Sequence, residues 1–120
     1  MDISKIRQKI HYLQKERERI ENRLMKRKKM TAGSLNYVYN ICGNPNCKCK
    51  RGEKHGPYPL LSLKINGKKT TRFVREKEAS RVEKEVEEYR SFQKGLARIK
   101  EINQKIRDYY YEIREIETCK

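Results

Sequence analysis

The amino-acid sequence predicts an α+β protein: two long helices forming an antiparallel coiled-coil stalk that carries a small three-stranded β head. Three features lead there. Apolar residues recur at steps of three and four towards both ends of the chain, the pattern of helices with one buried seam. Between them, short alternating segments flank Asn66-Gly67, a pair suited to the two-residue turn of a hairpin. Cys42, Cys47, Cys49 and His55 form a C-x4-C-x-C-x5-H array. Thiolates and imidazole are the ligands that a tetrahedral structural zinc prefers, and four of them leave no open position for water. The expected head is therefore stapled by Zn2+. The expected domains are an N-terminal basic helix (1–30), a zinc-binding β head (31–75) and a C-terminal long helix for the stalk and oligomerisation (76–120).

In the first helix, Ile3, Ile6, Ile10, Leu13, Ile20 and Leu24 make the seam, interrupted where Arg17 takes an apolar position. No Gly or Pro breaks residues 2–29, and Asp2 or Ser4 can cap the start. The run ends in four consecutive cations, Lys26, Arg27, Lys28 and Lys29.

The head begins with Leu35–Ile41, where Leu35, Tyr37, Tyr39 and Ile41 alternate onto one face, as in a half-buried strand. The cysteine loop follows, punctuated by Gly43, Pro45, Gly52, Gly56 and Pro57, as a chain folding tightly around an ion requires. The alternatives for these cysteines are a disulfide, or free thiols beside a chance histidine. The segments YPLLSLKI and KKTTRFV then make the hairpin. So short a head buries too little surface to be comfortably stable alone, which makes a metal staple physically sensible.

From Glu76 the helical period returns. Val82, Val86, Tyr89, Leu96 and Ile99 form one part of its seam, and Ile102, Ile106, Tyr109, Ile113 and Ile116 the other. If the chain reverses near Glu53, Leu24 meets Val82, Ile20 meets Val86, Arg17 meets Tyr89, Ile10 meets Leu96 and Ile3 meets Asn103. The first helix then runs out, leaving Ile106, Tyr109, Ile113 and Ile116 without a partner in the chain. An unpaired apolar seam marks an interface, here a homodimer.

Composition bounds the function. Only 35% of the 120 residues are hydrophobic and there is no Trp, so no large core can form. Lys and Arg number 31 against 16 acids, a formal net charge of +15. That imbalance predicts polyanion partners, nucleic acid before membrane surface. No apolar run is long enough to cross a bilayer and the N-terminus lacks a signal-type apolar region, so a cytoplasmic location is expected. A reducing compartment favours metal over disulfide for the cysteines.

The charge is uneven. Residues 1–30 hold eleven cations and four acids; residues 31–75 hold nine cations and one acid, Glu53; residues 76–120 hold eleven of each. A merely soluble helix pair would interleave both signs throughout. The expected phosphate contacts are Lys26, Arg27, Lys28 and Lys29 on the first helix, Lys48, Lys50, Arg51 and Lys54 in the cysteine loop, and Lys64, Lys68, Lys69 and Arg72 on the hairpin. Tyr37, Tyr39, Tyr58 and Phe73 lie among these cations. Such rings can stack exposed bases, but alternation assigns Tyr37, Tyr39 and Phe73 to the core and leaves Tyr58 open.

The stretch Thr31–Phe73, with GSLNYVY, CGNPNCKC, HGPY and NGK, resembles an uncharacterised family of small basic prokaryotic proteins. Its members carry C-G-K-P-x-C-x-C and then H-G-P-Y, a sheet segment and a long charged helix. Asn44 stands where that family usually has Lys. The resemblance implies a zinc-binding core and a prokaryotic or mobile-element origin; it supplies no activity. The sequence holds no nucleophile elbow, no phosphate loop and no paired acids in a low-charge pocket, so no enzyme is expected. The expected function is a zinc-stabilised protein that binds DNA or RNA through phosphates; the alternative is a coiled-coil adaptor for a protein partner.

Overall fold

The computed structural model describes residues 3–26, 28–40, 52 and 55–118. The elements in chain order are α1 (Ile3–Leu24), β1 (Gly33–Asn40), β2 (His55–Ile65), β3 (Lys68–Phe73), one 3-10 turn (Glu76–Glu78) and α2 (Ala79–Glu117). The class is α+β, with a three-stranded antiparallel sheet in the order β1-β2-β3. The chain divides into two compact units, Met1–Arg27 with Ser91–Lys120, and Lys28–Arg90.

In the first unit α1 packs on the later part of α2. Ile6, Ile10, Leu13, Ile102 and Ile106 form its buried core, with Ile20, Tyr109 and Ile113 packed against them. Polar contacts fix the alignment. Lys9 Nζ sits 5.7 Å from the centre of the Tyr109 ring, Arg17 donates to Asn103 Oδ1 at 2.8 Å, and Arg98 forks onto Glu16 through Nε and Nη2. Ile20 and Leu24 cross α2 at Gly95, where an added methyl would lie 2.9 Å from Leu24 Cδ2 and 3.4 Å from Ile20 Cγ2. Partner numbers fall along α2 as they rise along α1, so the two helices run antiparallel.

In the second unit the sheet takes the first turns of α2 as its cover. Leu61, Val82 and Val86 are buried together, and Leu35, Leu63 and Val74 pack around them. The hairpin turn is set by Asn66 at φ 51° and Gly67 at φ 81°, positive at both central positions as a type I′ turn needs. Glu85, on the same helical face, is 8% exposed and anchors the segment after α1. Thr31 donates its N–H to the Glu85 carbonyl at 3.0 Å and its hydroxyl to Glu85 Oε2 at 3.0 Å. Lys29 approaches the same carboxylate at 3.9 Å. Drawing residues 28–31 onto α2 stops α1 at Leu24, five residues short of the expected Lys29.

The predicted coiled-coil stalk carrying a zinc-stapled head is therefore corrected. Val82 and Val86, expected opposite Leu24 and Ile20, face Leu61 of the sheet instead. Ile20 meets Gly95 and Arg17 meets Asn103, a slip of about three helical turns from the expected pairing. The slip also supplies partners for the seam expected to lack them: Ile106 is buried, and Tyr109 and Ile113 pack on the same cluster. Ile116 remains 45% exposed. Ile106, Tyr109 and Ile113 are thus partnered within the chain. Among the described residues no three His, Cys, Asp or Glu side chains are grouped to hold a metal ion. Cys42, Cys47 and Cys49 lie outside the described residues.

Candidate nucleic-acid interface

Register decides what each face of the sheet carries. Directly opposed residues project to the same side. One face holds Leu35, Pro59, Leu61 and Leu63, and α2 covers it through Val82 and Val86. The other face holds Val38 opposite Tyr58, Leu60 opposite Phe73, Ser62 opposite Thr71, and Lys64 opposite Lys69. Tyr58 is 40% exposed and Phe73 59%. Their ring centres are 6.1 Å apart at an interplanar angle of 81°, an edge-to-face pair. No residue of β1, β2 or β3 is acidic.

Strand β3 is exposed at every position. Lys69, Thr71 and Phe73 stand on the open face, while Lys68, Thr70 and Arg72 stand on the other side of this edge strand. The hairpin thus presents Lys64, Lys68, Lys69 and Arg72 to solvent. The α1 end differs. Lys28 meets Glu88 at 3.4 Å and Lys29 meets Glu85, so two of the expected phosphate contacts have carboxylate partners within the chain. Lys26 is exposed. Arg27, Lys48, Lys50, Arg51 and Lys54 lie outside the described residues.

The sheet also pairs the two strand ends that flank the cysteine segment in sequence. Asn40, two residues before Cys42, pairs with His55 past a register shift between Val38 and Asn40. Gly56 follows at φ 127°, and a Cβ there would lie 2.6 Å from the Val38 carbonyl oxygen. Only glycine fits that approach. Beside it, a cleft of ≈ 800 Å³ is lined by Tyr37, Tyr58 and Arg75, but also by Glu76 and Glu83. Those two acids make it a poor seat for a polyanion. The open face, whose strands carry none, is the better one.

The expectation that Tyr37 and Phe73 belong to the core is corrected here. Tyr37 stands on the helix-covered side, yet it is 50% exposed and lines the cleft. Phe73 lies on the uncovered side. Tyr39, at the register shift, is also exposed. The residue that sequence reasoning missed is Glu85, whose role rests on Thr31, far away in the chain. Desolvation pushes its carboxyl up, but hydrogen bonds from Thr31 and Arg81, aided by the charges of Arg81 and Lys29, outweigh that and hold it below the ordinary value.

Residues 5–85 match a single family domain across two thirds of the chain. The chain belongs to the DUF6788 family, a domain of unknown function. The DUF6788 span takes in α1 from Lys5, all three strands, and α2 as far as Glu85, so it includes both the open sheet face and the Thr31–Glu85 anchor. No curated protein and no solved structure matches the chain. No helix of the described residues is long and apolar enough to cross a membrane.

Proposed function

We propose that this member of the DUF6788 family binds nucleic acid, contacting the phosphate backbone chiefly through the basic segment 31–75, with the cations just after α1 in support. The observation that carries this is the nine cations against one acid in that segment, four of them presented by a hairpin that contains no carboxylate. A cationic surface of this kind gains affinity by releasing counterions condensed on the phosphates. We further propose that Cys42, Cys47, Cys49 and His55 bind Zn2+, as a ligand of the loop and not as a determinant of the fold class. Support comes from the donor set and from the Asn40–His55 pairing, which brings the histidine across from the strand end leading into Cys42. About one zinc per chain is expected in protein purified without chelator, and substantially less would remove that proposal. A cytoplasmic protein of prokaryotic or mobile-element origin fits the sequence resemblance.

The test is the salt dependence of oligonucleotide binding, read by fluorescence anisotropy. Contact with six phosphates lowers affinity by roughly a thousandfold between 50 and 200 mM salt. Replacing Lys64, Lys68, Lys69 and Arg72 by Gln should flatten the slope by about 0.7–0.9 for each phosphate no longer neutralised. Replacing Lys84, Lys94, Lys100 and Lys105 on α2 should change it little. An adaptor that binds protein through α2 predicts no salt-dependent binding of this kind. Equal flattening by both sets of substitutions would reduce binding to a bulk response to net charge and overturn the assignment.

A further inference from the structure

We propose that the open face of the sheet is a stacking platform for single-stranded nucleic acid, with bases lying on Tyr58 and Phe73 and the backbone held by Lys64 and Lys69. The proposal rests on the nucleic-acid reading above and deepens it from phosphate contact to a choice of strand state.

Four observations converge. Tyr58 and Phe73 are large, flat and exposed, although the buried side of the same sheet is available to the neighbouring position along each strand. They are close together: Leu60, opposite Phe73, is two residues from Tyr58 on the same face, and the rings meet edge to face. In such a pair a ring lends its edge to its neighbour and keeps a flat side free for a base. The Lys64–Lys69 pair stands four residues further along the strands, about 13 Å at 3.3 Å per residue, on the same face. Polar side chains capable of hydrogen-bonding base edges, Ser62 and Thr71, fill the interval.

Charge selects the occupant. Two lysines paired across strands that contain no acidic residue repel a second copy of this surface, so self-association through it is disfavoured. A polyanion with exposed aromatic faces satisfies both halves of the surface. Paired duplex bases present only their edges in the grooves, so their flat sides are hidden from the rings. A single strand exposes them.

The experiment uses the full chain and three labelled probes: a 15-nucleotide oligo-dT, the matching oligo-rU, and a 15-base-pair duplex. Tyr58→Ala and Phe73→Ala should each weaken both single strands about 5- to 150-fold, the range of one lost base stack. Duplex affinity and the salt slope should stay within about twofold, because every cation remains. Tyr58→Phe and Phe73→Tyr should bind like the parent chain, which separates loss of the ring from loss of the fold. The chain has no Trp, so Phe73→Trp installs a single reporter whose fluorescence a stacked base quenches. Quenching by single strands and not by duplex is expected. If the parent chain binds with a steep salt slope, but the Ala variants lose nothing or the Trp is not quenched, stacking is wrong while phosphate contact stands. If the parent chain binds none of the probes, both fall. Binding by dT and rU alike supports the common stacking chemistry; binding of the duplex more tightly than either overturns the platform.

Discussion

Replacing Ile102 by Ala, with Leu96→Ala as its counterpart, tests the helix alignment on which the first unit depends. Ile102 is fully buried among Ile6, Ile10, Leu13 and Ile106, whereas Leu96 is 46% exposed. In the alignment expected from sequence their roles differ: Leu96 lies against Ile10, and Ile102 is near the end of the overlap. Ile→Ala removes three carbons, roughly 2.4 kcal/mol of transfer free energy at about 0.8 per buried methylene. The cavity left among rigid neighbours adds to this, placing the loss at about 3 kcal/mol within the usual span of about 2–5. Leu96→Ala should cost less than about 1 kcal/mol, since much of its side chain is already in water. Urea unfolding followed by circular dichroism measures both. With a slope of about 1–3 kcal/mol per molar urea, the Ile102 variant should lose roughly 1–3 M in midpoint. A Leu96 variant as damaged as the Ile102 variant would show that α1 and α2 meet in the other alignment, and the reassigned core would be wrong.

Two further outcomes follow from single sites. Gly56→Ala and Gly67→Ala both force alanine into a left-handed backbone, at φ 127° and 81°, but only at Gly56 does the new Cβ run into a carbonyl, Val38 O at 2.6 Å. Gly67→Ala should cost about 1 kcal/mol and Gly56→Ala clearly more, about 2–4, since strand backbone must shift; equal midpoints in urea would disprove the close approach. The carboxyls of Glu16 and Glu85 sit below the ordinary value, Glu16 through hydrogen bonds from Arg98 and Glu85 through bonds from Thr31 and Arg81 that outweigh desolvation. A depressed folded-state pKa adds stability above the unfolded carboxylate value of about 4.5, and that stability is lost as pH falls through the folded value. Glu16→Gln with Glu85→Gln should therefore flatten the acid limb of stability as pH falls below about 4.5, and an unchanged limb would exclude these two groups as its source.

The elements were legible because each has a local cause. Asn66-Gly67 specifies its own turn, and the strands beside it follow from alternation and turn chemistry. The two helices follow from period alone. What period cannot specify is the partner. Val82 and Val86 are apolar at helical spacing, which suits a facing helix or a facing sheet equally, and nothing local distinguishes Leu61 from Leu24 as the neighbour. Once the sheet takes the first turns of α2, α1 must meet that helix further along, and the seam at Ile106 gains a partner. Thr31–Glu85 was invisible for a related reason: one threonine and one glutamate 54 residues apart carry no pattern. Phe73 was misplaced because KKTTRF has no apolar alternation of its own, so its face is fixed only by pairing with Leu60.

Cations near α2 and cations on the hairpin have different fates, and that difference narrows where a polyanion can bind. Lys28, Lys29 and Arg81 meet Glu88, Glu85 and Glu78. An exposed pair such as Lys28–Glu88 is worth only about 0–1 kcal/mol, so it contributes little to stability. The larger effect of these pairs is on the field. A carboxylate at ion-pair distance neutralises its lysine as seen by an approaching phosphate still roughly one Debye length, about 8 Å, away. Lys64, Lys68, Lys69 and Arg72 lie on a hairpin that contributes no acid, so their field reaches solvent without that local neutralisation. The sequence alone names both Lys26–Lys29 and the hairpin as phosphate contacts, with the head the sharper case at nine cations to one acid. The structure separates them, because the same acids that anchor residues 28–31 to α2 also quench the charges there. Within the Lys28–Arg90 unit, steering by charge and stacking by exposed rings therefore point to one surface, the strand pair that carries Tyr58, Lys64, Lys69 and Phe73.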